Sequence, residues 1–284
     1  MALAAAATCI IMQLMTEQTP CPNCGAMLQG RYCHACGQKR IEPEEQRFSW
    51  FLRQLLESLA MVDERFLGSL GRLLFRPGRL DRDWLEGRRK RNLAPLSLFL
   101  IANVIYFFYP PLSDLNLSLE EQLAQPHGAL AQQLVDARLE SRGIEFADYA
   151  LEYRAEATNL AKVLVIIHAP LFALVLMALH FRRGRYFVDH LAVSLHFWAF
   201  LLCAVMVVPW ALWLALGLAG IGSQGVLQLS LGAIVLLYAW RQMQVAYDQP
   251  GWLALVKLPL WLAGLVAAHL VYRAVQFFTA FALS

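Results

Sequence analysis

The stretch DHLAVSLHFWAFLLCAVMVVPWALWLALG, residues 189–217, contains one formal charge, Asp189, at its first position. A hydrocarbon core of ~30 Å needs about 20 helical residues. This run exceeds that length, so it is read as a bilayer-crossing helix. Pro209 within it predicts a tilt or a kink.

Working outward, four further runs read as spans: 93–110, 161–181, 226–246 and 252–272. The first ends on the aromatic "YFFYPP", as an interfacial belt does. The fourth run, 226–246, is the most polar, because Arg241 and Gln242 cut into it. The fifth, 252–272, carries Lys257 and Pro259 near its start, with Arg273 just beyond its end; residues 274–284 either prolong that helix or lie on the surface. The whole chain has 284 residues, 58% hydrophobic and 16% charged, with mean hydropathy +0.47. A soluble domain has about 25% charged residues. The fold class expected is therefore an all-α polytopic membrane protein of about five transmembrane helices. It carries a small N-terminal four-cysteine zinc ribbon.

That ribbon is read from CPNCGAMLQGRYCHACG, residues 21–37. Cys21, Cys24, Cys33 and Cys36 stand in two C-x2-C pairs, the pattern of a four-cysteine zinc site. Gly25 and Gly37 follow the second cysteine of each pair, where a tight turn demands positive φ. Two disulfides are the competing reading. Four thiolates fill a tetrahedral shell, so a Zn2+ ion here is structural rather than catalytic. His34 lies between the ligands and is not needed. Reduced thiolates imply a cytoplasmic location.

Residues 1–20 are read as a disordered N-terminus. Met12 or Met15 is the expected true start, with no function assigned to 1–15. Residues 41–92 are read as cytoplasmic amphipathic helices. Within 47–75, apolar residues from Phe48 to Leu74 recur at three- and four-residue steps. Pro77-Gly78 breaks that helix, and Asp81 is the candidate N-cap of a short new one. Seven basic and three acidic residues lie between Arg76 and Arg91. They are a topology signal, and Arg88, Arg89, Lys90 and Arg91 are candidates for contact with anionic lipid or a partner.

Residues 93–284 form the membrane domain, with a helical loop at 111–160. That loop holds nine acidic side chains against three arginines. Two or three helices are expected there, the last leading into the second span. The loop "FRRGRYFVD" holds three arginines. Basic loops face the cytoplasm. The N-terminus is thus expected inside, the 111–160 loop and the C-terminus outside. The net charge of +3 gives no reason to expect nucleic acid as a partner.

Taken together, Cys21, Cys24, Cys33, Cys36, Asp63, Arg65, Pro77, Gly78, Gly87, Arg88, Arg89 and Pro95 resemble a pattern. It is that of a bacterial family of integral membrane proteins with an N-terminal zinc ribbon, the domain of unknown function 3667. The likeness is concentrated in residues 21–110. It implies a fold and a bacterial inner-membrane location, and no activity.

Ionisable groups inside spans call for a functional hypothesis. His168 and His269 form the candidate intramembrane polar site. His180, His190 and His196 cluster near the following turn. Asn103 and Ser194 are candidate interhelical hydrogen bonders. No phosphate-binding loop, G-x-S-x-G or H-E-x-x-H motif occurs. The expected function is a non-enzymatic inner-membrane scaffold or regulator whose ribbon and basic segment contact a cytoplasmic protein or anionic lipid. A small transporter or permease-like protein is the alternative. A haem-binding or other membrane enzyme using the histidines is the third reading.

Overall fold

The computed structural model describes residues 20–28, 30–40, 65–108, 115–181, 184–218 and 224–284. The expectations for 1–19 and for the amphipathic stretch 47–64 fall outside these. Ten α-helices occur among the described residues. They are α1 Phe66–Phe75, α2 Arg79–Leu85, α3 Pro95–Phe108, α4 Leu119–Leu123, α5 Gly128–Arg142, α6 Phe146–Leu164, α7 His168–Leu179, α8 Phe187–Leu218, α9 Gln224–Tyr247 and α10 Gly251–Leu283. The described residues form no strand; two isolated β-bridges, Pro20–Met27 and Tyr32–Lys39, sit in the cysteine knob.

Four helical segments are long and apolar enough to cross a membrane: Phe146–Leu179, Phe187–Leu212, Gly225–Tyr247 and Gly251–Leu283. The first span expected from sequence, 93–110, holds the shorter helix α3. Its 14 residues rise about 21 Å, less than the ~30 Å of hydrocarbon. It packs along α8, burying Leu98 and Phe99 almost completely. Helix α8 is the central element, in contact with α3, α7 and α9, while α10 packs on α6, α7 and α9.

A proline accounts for the join between α6 and α7. Pro170 has no N–H, and its ring crowds the carbonyl four residues back, at Ile166. The helix tightens there into the 3-10 turn Val165–Ile167 before α7 begins. Residues Ala157, Ala161, Val165, Ala169 and Ala173 repeat every four positions through this join and are all buried. Small side chains let neighbouring backbones approach where no hydrophobic force drives helices together in lipid. Gly264 of α10 serves the same purpose. A Cβ placed there would lie 2.2 Å from Val175 Cγ1.

The described residues 115–160 of the acidic loop hold three helices, and the last runs on into the second span. Ser118 opens α4 with a capping box, its hydroxyl accepting from Glu121 N while the Glu121 carboxylate accepts from Ser118 N. These helices cover the far end of α10, where Leu119, Val135, Tyr149, Tyr153 and Phe277 share a second core. The buried Gln276 side chain donates to the carbonyls of Leu115 (3.1 Å) and Ala157 (3.3 Å), and Tyr272 donates to Leu115 O at 2.8 Å. Residues 274–283 thus prolong the last span. The 33 residues of α10 reach about 50 Å, and the excess over the bilayer is what α4, α5 and α6 enclose.

Replacing Gly264 by Val should force α10 away from α7 and destabilise the protein by about 1–3 kcal/mol. The check is thermal unfolding of the purified protein in detergent, in which Gly264→Ala should lower the midpoint less than Gly264→Val.

Candidate functional site

The four cysteines are brought together by two copies of one turn, twelve residues apart. In the first, Cys21 N donates to Ala26 O and Gly25 N to Cys21 O, both at 2.8 Å. In the second, Cys33 N donates to Gln38 O at 2.8 Å and Gly37 N to Cys33 O at 2.7 Å. Gly25 (φ 78°) and Gly37 (φ 68°) take the left-handed conformation that each turn requires. The sulfurs of Cys21 and Cys36 lie 3.7 Å apart, those of Cys24 and Cys33 3.6 Å, and all four fall within 4.8 Å of one another. A tetrahedral ion with ~2.3 Å bonds to sulfur sets its ligands about 3.8 Å apart. The spacing fits a metal ion. His34 is exposed and outside the four-sulfur group.

Two of the thiols shift in opposite directions. Gln38 N–H, with Asn23, lowers the Cys36 thiol to about 6. At Cys24 the Ala26 N–H acts downward, yet burial and the neighbouring thiols raise the group to about 12. Four sulfurs this close share protons when no metal balances them.

Gln38 seats the knob on the basic turn. Gln38 is 4% exposed. Its Nε2 donates to Gly87 O at 2.5 Å, and its Oε1 accepts from Arg89 N (3.2 Å) and Lys90 N (3.3 Å). Both ends of the amide are used. Gln38 occupies in the second turn the place of Ala26 in the first, and that difference between otherwise matching turns is the one trace of this contact in the sequence.

The turn 86–92 is itself organised by Asp83. Its Oδ1 accepts from Arg88 Nε (3.0 Å) and Nη2 (2.8 Å), and its Oδ2 from Asn92 Nδ2 at 3.1 Å. Arg72 donates to Asn92, and Leu93 N donates to Ser69 Oγ at 2.9 Å, which joins α1 to the same turn. Arg89 stacks over Trp84, 4.2 Å from the ring centroid. Arg88 and Arg89 are half-buried by these contacts, while Lys90 and Arg91 are exposed.

Helix α2 then enters the bundle. Asp81, the candidate N-cap, lies inside the first turn instead; Gly78 (φ 79°) stands at the cap. The reason is packing. A Cβ on Gly78 would come within 2.6 Å of Val245 Cβ and 2.9 Å of Gln242 O, so the bare backbone lies on α9 and turns Asp81 inward. Asp81 Oδ1 accepts from His196 Nδ1 at 2.7 Å, and Oδ2 from Gln242 Nε2 at 2.9 Å. Asp81 is 1% and His196 2% exposed. Gln242, which weakens the 226–246 run as a span, is this buried partner; Arg241 beside it is exposed. Asp81 and Asp83, two of the three acids in the otherwise basic 76–91 run, are the sequence signal of this arrangement, and nothing local links Asp81 to a histidine 115 positions on.

His168 and His269 are brought together. His168 Nδ1 donates to Val165 O at 3.0 Å, so its Nε2 accepts from His269 Nδ1 at 3.1 Å. The His168 ring lies 4.2 Å from Trp198 and Tyr272. Both its nitrogens are engaged in hydrogen bonds. His180 stacks on Tyr247 at 3.8 Å, and His190 Nδ1 lies 2.9 Å from the Tyr247 hydroxyl. Asn103 donates to Lys162 O (3.0 Å), and Ser194 to Ala169 O (2.8 Å), each across helices.

Removing one partner of a buried hydrogen bond leaves the other unsatisfied, at a cost of about 1–3 kcal/mol, whereas replacing both partners by apolar groups is far milder. Asp81→Leu should therefore unfold at markedly lower temperature in detergent, and Asp81→Leu combined with His196→Leu should recover most of the loss.

A search of curated proteins and one of solved structures return no match to this chain. A family model does match, over residues 63–107. That interval contains Ser69, Arg72, Gly78, Asp81, Asp83, Arg88 and Asn92, the residues that fasten α1 and α2 to the bundle. The chain carries, at residues 63–107, the sequence pattern of the family described as Protein of unknown function (DUF3667).

Proposed function

We propose that this is a non-enzymatic scaffold of the bacterial cytoplasmic membrane, whose zinc-loaded knob and basic turn present one cytoplasmic docking surface to a protein partner. The observation that carries this reading is Gln38. A knob tethered by a linker would be a separate module; this one is fastened to the backbone of residues 87–90, and through Asp83 and Asp81 to the bundle. Anything bound to it is held at a set place over the membrane.

Zinc is the metal proposed, because a four-cysteine set with filled tetrahedral geometry suits it and supplies folding energy to a segment too small for an apolar core. The contact surface proposed comprises Met27 (42% exposed) and Tyr32 (60% exposed) on the knob, with Lys90 and Arg91 on the turn. Arg88 and Arg89 act here mainly by holding that turn in shape. The proposed orientation puts the knob and the arginine-rich 182–185 loop inside, and residues 115–160 outside.

A small permease is the second reading. One feature favours it: a lateral cleft of about 630 Å³ bounded by Tyr106, Trp198, Leu202, Gln228, Val266 and His269.

The purified chain should contain one zinc per molecule by elemental analysis, and Cys33→Ser should lose it. A photo-crosslinker at Tyr32 in cells should capture one defined protein, with capture lost in Cys33→Ser. Crosslinks to lipid alone would replace the protein partner with the membrane surface. Reporter fusions after residues 91, 140 and 184 should read inside, outside and inside; an inside signal at 140 would sink the orientation.

A further inference from the structure

At the end of the bundle that carries the knob, a half-open cleft of about 330 Å³ lies where α7 ends, α9 ends and α10 begins. Its polar wall is Arg185, Lys257, His180 and Gln249, and its apolar rim includes Phe181 and Leu253. We infer that this cleft is a binding site for the phosphate headgroup of an anionic membrane phospholipid, with the acyl chains running down the apolar rim.

Charge is the first argument. Among the described residues, neither Arg185 nor Lys257 has a carboxylate within ion-pair distance. Asp248 is the carboxylate lining the cleft, and it is engaged by Arg82. Two cations from different elements thus face one cavity with their local acid already neutralised. Arg185 is held in place by donating through Nη1 to Leu85 O at 3.1 Å, and Lys257 by donating to Gln249 Oε1 at 3.1 Å. Each retains further N–H groups for a ligand. His180, stacked on Tyr247, forms a rigid flank.

The second argument is the shape of the surroundings. Phe181 is 84% exposed and Trp252, next to Leu253, is 67% exposed. Aromatic side chains at helix ends mark headgroup level, and basic pockets between helices at that level take lipid phosphates. A free anion would gain nothing from the apolar rim, whereas a phospholipid uses both walls. The site is separate from the knob and does not rest on the partner reading.

The test uses the full chain in detergent and native mass spectrometry, titrated with dihexanoylphosphatidylglycerol and, separately, with inorganic phosphate. One phosphatidylglycerol should bind, while inorganic phosphate at equal concentration should not. Arg185→Gln with Lys257→Gln should weaken binding roughly 30-fold, from two basic contacts. Arg185→Lys with Lys257→Arg should retain it, which separates lost charge from lost folding. If the double Gln variant fails to fold, Lys257→Gln alone supplies the readout, with a loss of roughly fivefold. Unchanged binding in the Gln variants, or equal binding of inorganic phosphate, overturns the proposal.

Discussion

The carboxylate of Asp81 is the constraint around which the knob end of this protein is built. A charge removed from water is costly unless it is paired and hydrogen-bonded. Here one oxygen accepts from His196 of α8 and the other from Gln242 of α9. That requirement fixes three elements at once, because α2, α8 and α9 must all arrive for the carboxylate to be satisfied. Gly78 makes the arrival geometrically allowed, since any side chain at that position would hold α2 off α9.

From there, order propagates outward by polar contacts rather than by apolar burial. Asp83, one turn face away from Asp81, shapes the 86–92 segment through Arg88 and Asn92. That segment in turn offers a carbonyl at Gly87 and N–H groups at Arg89 and Lys90, which Gln38 reads as a pair. The knob's own order depends on its four sulfurs. The bundle and the knob are therefore stabilised by different physics, and Gln38 joins them.

Beyond the membrane the same division holds. Helix α10 is too long for the bilayer, and its far end is enclosed by α4, α5 and α6 through aromatic packing and the amide of Gln276. The acidic loop was legible as helical from its patterning, and its continuity with the second span followed from the lack of turn residues. Its cover over residues 274–283 was not legible, because apolar residues at a chain end look alike whether they meet lipid or protein.

By itself the sequence determined what rests on local chemistry. Two C-x2-C-G repeats set the sulfur cluster, apolar length set the long helices, and Pro77-Gly78 set the break before α2, since each depends on spacing along the chain. Only the tertiary structure decided which polar residues meet. Asp81 was readable as a cap and Gln242 as a blemish in a span. Each takes a different role because its partner comes from another helix. A buried polar group is defined by what satisfies it, and that is a property of the packed bundle rather than of any segment.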